Sequence, residues 1–557
     1  MSGGENRTGP DRRVVLGGVV LSGAMIAAEA ADAAASAGPA PVAQTAYGRI
    51  RGYNDGPIKV FKGVPYGADT GGANRWLPAK PPKSWTGLRD CTKQGPMCPQ
   101  PLGAPMAEEA AMLQTGPLNE DCLNLDVFTP AVGAGSGKRP VMVWFHGGGF
   151  AAGSGGATSY DGRNLCQKHD VVLVTVTHRL NVFGFLYLAD LYGPRYADSG
   201  NVGILDCVAA LRWVRNNIAG FGGDPANVTI FGQSGGGAKV STLMGMTPAK
   251  GLFHRAIAQS GAEVRAGTPA MGTAIARRVV EAVGAKSIED LQKVPQEKLL
   301  EVNNDLHLFA GPVVDGRSLS ANPFDPVASP LSKDIPFMCG TTQNEAVFFP
   351  STPLDPIDDA QLAAMLQGTF RGIPAADVQH MIEVLRKQNP GKPNQFLFQL
   401  VASQNFGNDV LVEADRKAEQ HGAPVFVYYF AHTVPARGGK LGAPHTGEIP
   451  YHFDSLAHSK PLIGPVTARE QALADKLSAA WTSFARKGDP NNPLMPHWTP
   501  YDTAKRPIMV LDDHPKIVDD PLHDTRVLLA EVRSKYPPAG PFGPPPPTPP
   551  SGGAPRG

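Results

Sequence analysis

The stretch NVTIFGQSGGGAKV, Asn227–Val240, sets a short β-branched run directly against a glycine, a glutamine, a serine and three more glycines. Val228–Phe231 has the length and composition of a strand buried on both faces. The residues from Ala238 open a helical pattern. Between the two, Gly232, Ser234 and Gly236 spell G-x-S-x-G, which is a nucleophile elbow when it joins a strand to a helix. That turn needs small neighbours: the serine hydroxyl is pushed out over the sheet on a strained backbone, and a Cβ at either flanking glycine would meet nearby main chain. A chain with 64 glycines can produce such a pentapeptide by chance, so the strand before it and the helix after it carry the reading.

Further apolar runs bounded by turn signals predict more buried strands at Val141–Phe145, Val171–Val176, Pro336–Gly340 and Val425–Phe430. Between the second run and the elbow strand, Ile204, Val208, Leu211, Val214 and Ile218 recur at helical spacing, and GGDP (Gly222–Pro225) breaks the helix. Strand, helix, strand in this order implies a crossover connection. The fold class is therefore α/β with a mostly parallel central sheet and helices on both faces. Two helix-rich stretches, near 270–303 and 356–418, interrupt the alternation and are expected to be cap or lid insertions on one domain spanning 41–536. No internal repeat is visible.

With 51 basic and 50 acidic side chains, the formal charge is +1. Nothing in that balance favours nucleic acid or an anionic membrane surface, and a neutral small molecule fits better. At the N-terminus, Arg12 and Arg13 precede an apolar stretch, Val14–Ala28, and then small residues. Residues 1–40 thus read as a cleaved, twin-arginine-like export signal, too short in its apolar part to span a bilayer comfortably, and the protein is expected to be periplasmic or secreted. Residues 537–557 read as a disordered or polyproline II tail. Of the six cysteines, none forms a C-x-x-C pair suggesting zinc, and no metal or organic cofactor is expected. Export would permit a bridge, with Cys98 and Cys122 the best pair, while Cys166, Cys207 and Cys339 read as buried thiols.

A serine hydroxyl is a poor nucleophile near neutral pH, so Ser234 needs a histidine base, and that base needs a carboxylate to fix its tautomer. In chain order the acid and then the histidine follow the serine in folds with this elbow. Glu345 lies just past the end of a predicted strand, where sites of parallel sheets gather, and Asp315 is the rival acid. His432 and His445 both follow the last long strand, and spacing alone does not separate them. The oxyanion formed on ester attack needs preorganised N–H donors. HGGGF, His146–Phe150, stands directly after a predicted strand in the expected place, so Gly148 and Gly149 would donate, joined by Gly235 after the nucleophile.

Together these residues resemble the type B carboxylesterase and cholinesterase family of α/β-hydrolases. The likeness runs from about Tyr47 to Asp513 and is carried by FKGVPYG, EDCLNLDV, HGGGF, GQSGGG, GLFHRAIAQSG, GPVVDG, HTGEIPY and FARKGDPN. The resemblance implies Ser234 as nucleophile, Glu345 as acid, His445 as base, Gly148, Gly149 and Gly235 as the oxyanion hole, and a bridge from Cys98 to Cys122. It implies hydrolysis of small-molecule carboxylic esters through an acyl-enzyme, without stable membrane insertion; oligomeric state is left open. Two departures bear on substrate. The family's elbow usually reads G-E-S-A-G, whereas Gln233 and Gly235 stand here, so a carboxylate beside the nucleophile is lost. Cholinesterases also hold quaternary ammonium on a tryptophan between the bridged cysteines. Pro99–Asp121 contains no aromatic residue, which disfavours choline esters. Carbamates, amides or polyesters are alternatives for the same triad. A non-catalytic binding protein is disfavoured because every catalytic position is filled.

Overall fold

The computed structural model describes residues 38–101, 107–112, 116–133, 135–349 and 351–538. Nearly all of the expected export signal and of the proline-rich tail lies outside the described residues. The strands, in chain order, are β1 (Val42–Thr45), β2 (Gly48–Arg51), β3 (Tyr53–Asp55), β4 (Ile58–Pro65), β5 (Leu88–Asp90), β6 (Asn124–Thr129), β7 (Arg139–Phe145), β8 (Val172–Val176), β9 (Gly223–Gln233), β10 (Arg255–Gln259), β11 (Phe337–Thr342), β12 (Val425–Phe430), β13 (Pro507–Leu511) and β14 (Lys516–Asp519). Among the described residues, eleven of them form one sheet in the order β14-β13-β12-β11-β10-β9-β7-β8-β6-β4-β3, and β1, β2 and β5 form a small separate sheet. From β8 through β13 every neighbouring pair is parallel. The edges are closed by antiparallel pairs, β6 against β8 on one side and β14 against β13 on the other.

The parallel strands are buried along their length because both faces are covered, and the period of two sends alternate side chains to different cores. Val141, Val143 and Phe145 of β7 pack in one core with Val172, Val174, Ile230 and Val427. Met142 and Trp144 pack in the other with Leu173, Phe231, Ile257 and Tyr428. The helix Val202–Asn217 crosses between β8 and β9, and all five periodic residues from Ile204 to Ile218 are buried in the first core. Helices Asp359–Thr369, Ala375–Gln388 and Asn394–Ala418 pack with the helix His523–Lys535 around a third core of their own. Helices Pro269–Val283, Ile288–Lys293 and Gln296–Asp305 fill the other helix-rich stretch.

Two differences from the sequence expectations have physical causes. Strand β9 begins at Gly223, so it contains Asp224 and Pro225, which read as a breaker. The ladder accommodates them by a register shift against β7 between Arg139 and Val141, an irregularity where a missing proline N–H is tolerated. Strand β10 reads as no strand in sequence because, of its core-facing residues, Ala256 and Ala258 are small and Ile257 alone is large. It nevertheless pairs with β9 and β11 on both sides and brings Gln259 and Ser260 beneath the elbow.

Candidate active site

Strand β9 ends at Gln233 and the helix Gly235–Gly245 starts one residue after Ser234. Ser234 itself has φ 58° and ψ −125°, a conformation non-glycine residues seldom adopt, which costs of order 1–3 kcal/mol and persists only where the surroundings enforce it. The enforcement is visible: the Ser234 N–H donates to the Gln259 carbonyl at 2.7 Å, and the Ser234 carbonyl accepts from the Ala238 N–H at 3.1 Å. A Cβ at Gly236 would lie 2.0 Å from the Phe145 carbonyl oxygen, and one at Gly261 would lie 1.8 Å from the Ser234 carbonyl oxygen. The glycines are therefore required by the close approach of three strand ends around the elbow.

At the C-terminal end of the sheet, Glu345 follows β11 and His445 lies beyond β12. His445 Nδ1 is 2.5 Å from Glu345 Oε2, with Glu345 fully buried. A carboxylate can only accept, so Nδ1 carries the proton and Nε2 is left as the basic nitrogen. Glu345 is itself fixed by the Thr342 N–H, which donates to Oε1 at 2.7 Å. Burial alone would lower the His445 pKa, but the Glu345 carboxylate outweighs it and raises the imidazole above its ordinary value. Nearby Glu448 has its pKa pushed up to about 7 by burial and by the Glu345 charge, and it accepts from Gln259 Nε2 at 3.2 Å. The Phe406 ring stands edge-on to His445 with centroids 5.1 Å apart.

No hydrogen bond joins Ser234 Oγ to His445 in this structure. The Gln233 side-chain nitrogen instead lies 3.2 Å from His445 Nε2 and 3.3 Å from Nδ1. Hydrogen bonds between nucleophile and base are commonly loose without substrate and tighten when it binds.

The loop after β7 completes the site. Gly148 and Gly149 have φ of 85° and 63°, a left-handed turn that directs successive N–H groups to one side. Among the described residues, no protein acceptor takes the N–H of Gly148, Gly149 or Gly235. Gly235 packs against this loop so closely that a Cβ there would stand 2.1 Å from the Gly149 carbonyl oxygen. Three N–H donors without a protein acceptor beside a half-buried turn serine can receive a developing oxyanion.

The rival residues serve other purposes. Asp315 accepts from the N–H groups of Arg317 and Leu319, from Ser318 Oγ and from Asn201 Nδ2, so it organises its own turn. His432 is buried with Nδ1 2.8 Å from Asp513 and takes no part in the serine site. All six cysteines are buried thiols in the structure. The Cys98 thiol beside Cys122, together with burial, pushes the Cys122 pKa up. Sequence reasoning missed the contact of Gln233 with the base and the placement of Phe406, which lies in a helix without any motif.

The sheet topology, the elbow and the acid–base pair meet a matching whole-chain comparison. The family model described as "Carboxylesterase family" matches residues 39–529. The chain belongs to the carboxylesterase family. Carboxylic-ester hydrolysis is accordingly its reaction class. The chain is 32% identical over 500 residues to the para-nitrobenzyl esterase of Bacillus subtilis, covering 88% of this chain and 98% of that protein. A carboxylesterase of Geobacillus stearothermophilus has a crystal structure similar to this one, with a TM-score of 0.76, 35% identity, and coverage of 87% of this chain and 99% of that one. An esterase from Clostridium hathewayi that can hydrolyze aliphatic aromatic polyesters is also similar, with a TM-score of 0.76, 31% identity, and coverage of 89% and 98%.

Proposed function

We propose that this carboxylesterase hydrolyses uncharged carboxylic esters by a serine acyl-enzyme route with Ser234 as nucleophile, His445 as base and Glu345 as the acid that orients it. The observation that carries the reading is the buried Glu345–His445 pair at 2.5 Å beside a serine held at positive φ. His445 Nε2 takes the Ser234 proton as Oγ attacks the ester carbon. The electron pair driven onto the carbonyl oxygen is received by the N–H groups of Gly148, Gly149 and Gly235. As the tetrahedral intermediate collapses, the imidazolium returns the proton to the leaving alcohol. Water then repeats the sequence on the acyl-enzyme, releasing the acid and regenerating Ser234.

The preference for neutral substrates rests on the walls. Gln233 puts an uncharged amide where a carboxylate would attract a cation. Phe406 flanks the base, the Phe349 ring lies 5.5 Å from the Phe406 ring, and the 69% exposed Phe309 ring reaches the neighbourhood of Gly149, so apolar groups border the site on two sides. Export and a Cys98–Cys122 bridge belong to the same reading: paired arginines ahead of an apolar run support the first, and the contact of the two thiols supports the second. The test is a panel of initial rates on p-nitrophenyl butyrate, butyrylcholine, a matched anilide, a matched carbamate and an aliphatic–aromatic polyester film. The neutral ester is expected to be fastest. Equal rates on butyrylcholine would overturn the charge argument, and a faster anilide, carbamate or polyester would move the protein to that substrate class.

A further inference from the structure

Behind the oxyanion loop lies a group that the reaction above does not use. Lys239, on the helix that follows the elbow, is completely buried. Its Nζ donates to the His146 carbonyl at 2.8 Å and lies 5.9 Å from the centre of the Phe150 ring. Both contacts are with the ends of the HGGGF loop. Two imidazoles share this pocket: His146 and His178 stack with centroids 4.8 Å apart and planes 14° from parallel. In each ring Nδ1 faces a carbonyl, Gly147 at 2.8 Å and Arg179 at 2.7 Å, so each Nδ1 carries the proton. Each Nε2 is then a lone-pair acceptor, buried and without a partner among the described residues. Burial, aided by the Lys239 charge, pushes both imidazoles well below their ordinary pKa. Cys207, the remaining titratable group facing Lys239, is held as a neutral thiol by burial. Lys239 is therefore the one group in this cluster that can carry charge near neutral pH.

We propose that Lys239 is a positioning residue of the oxyanion hole: its amine holds the His146 carbonyl from behind, fixes the His146–Gly147 peptide plane from which the chain enters Gly148 and Gly149, and when protonated adds positive potential at the N–H groups of those glycines. The inference rests on the reading of Gly148 and Gly149 as donors. Burying an ammonium with one carbonyl acceptor is unfavourable, and such groups gather at functional sites. The loop itself explains what the lysine holds. It runs through two successive left-handed glycines whose peptide planes are tied within the loop, the Gly147 carbonyl facing His146 Nδ1 and the Gly148 carbonyl accepting from the Ala151 and Ala152 N–H groups, so the part left for Lys239 to hold is the His146–Gly147 peptide by which the loop leaves β7. Desolvation holds the Lys239 pKa down to about 7, so its charge is present below that value and lost as pH rises through it.

The test measures kcat, KM and the affinity of an alkyl trifluoromethyl ketone, whose adduct with the serine carries an oxyanion, for the wild type, Lys239→Met and Lys239→Arg across the neutral and alkaline range. Lys239→Met is expected to lower kcat by about tenfold or more, weaken the ketone by a similar factor, leave KM within about twofold, and erase the alkaline decline of the wild type. Lys239→Arg, charged throughout, is expected to erase the decline while keeping most of kcat. A Lys239→Met enzyme with wild-type kcat, ketone affinity and pH profile would overturn the proposal. So would a Lys239→Arg enzyme that keeps the alkaline decline, a result that stands even if the methionine variant fails to fold. Ser234→Ala run alongside separates the two levels: activity surviving there overturns the serine reading itself.

Discussion

Gly236→Ala is the substitution whose consequence the structure specifies most closely. The added methyl would lie 2.0 Å from the Phe145 carbonyl oxygen and 3.0 Å from the His146 carbonyl oxygen, whereas ordinary contact begins at 3.4 Å. The elbow helix and the end of β7 must then part by roughly 1.4 Å, the amount by which the shorter contact falls short of ordinary contact. Phe145 leads directly into the loop carrying Gly148 and Gly149, so the displacement separates the nucleophile and Gly235 from those two oxyanion donors. A misplacement of about 1 Å in an active site costs on the order of a hundredfold in rate, or about 2.7 kcal/mol of transition-state stabilisation. Overpacking costs roughly 1–3 kcal/mol of stability. In a chain of 557 residues, with an unfolding entropy near 2.1 cal/mol/K per residue, that lowers Tm by only about 1–3 °C. The expected outcome is a kcat on p-nitrophenyl butyrate reduced at least about a hundredfold in a protein whose circular dichroism melt barely moves. A near-normal kcat would refute the close-approach reasoning, and a melt lowered by about 10 °C or more would show that the glycine serves the whole fold.

Other outcomes follow from the acid–base pair. Glu345→Gln keeps the size of the side chain but removes the charge that fixes the Nδ1–H tautomer of His445, so turnover is expected to fall by several orders of magnitude with the fold intact; unimpaired turnover would exclude Glu345 as the acid. His445 must be unprotonated to act, and its pKa is raised, so the acid limb of kcat/KM is expected above the ordinary imidazole value of 6.5. Gln233→Glu would set a carboxylate within about 3.3 Å of both ring nitrogens, stabilise the imidazolium further, and move that limb upward by roughly one to three units. An unmoved limb would mean that Gln233 does not face the working base.

Much of this was legible in the sequence because the sheet is buried on both faces. Continuous apolar runs such as Val425–Phe430 and the helical spacing from Ile204 to Ile218 have few alternative readings. The β10 strand was illegible because alanines that pack under the elbow look neutral in any apolar pattern. The elbow serine and HGGGF could be read from the backbone demands of glycine, whereas Glu345 against Asp315 and His445 against His432 could not be separated by spacing. Residue type carries no information on which carboxylate faces which imidazole; both histidines do in fact have an acidic partner, and only the resemblance and then the geometry single out His445. Lys239 is a further case: nothing in its sequence neighbourhood marks it as buried, and its packing against His146, Phe150, His178 and Cys207 appears only in the folded chain.

The most direct measurement is p-nitrophenyl butyrate hydrolysis by the purified protein beside Ser234→Ala, both checked for folding by circular dichroism. The expected result is hydrolysis by the wild type and its loss in the folded Ser234→Ala protein. An equally active Ser234→Ala protein would contradict the account, because the strained turn at the end of β9 would then hold no nucleophile.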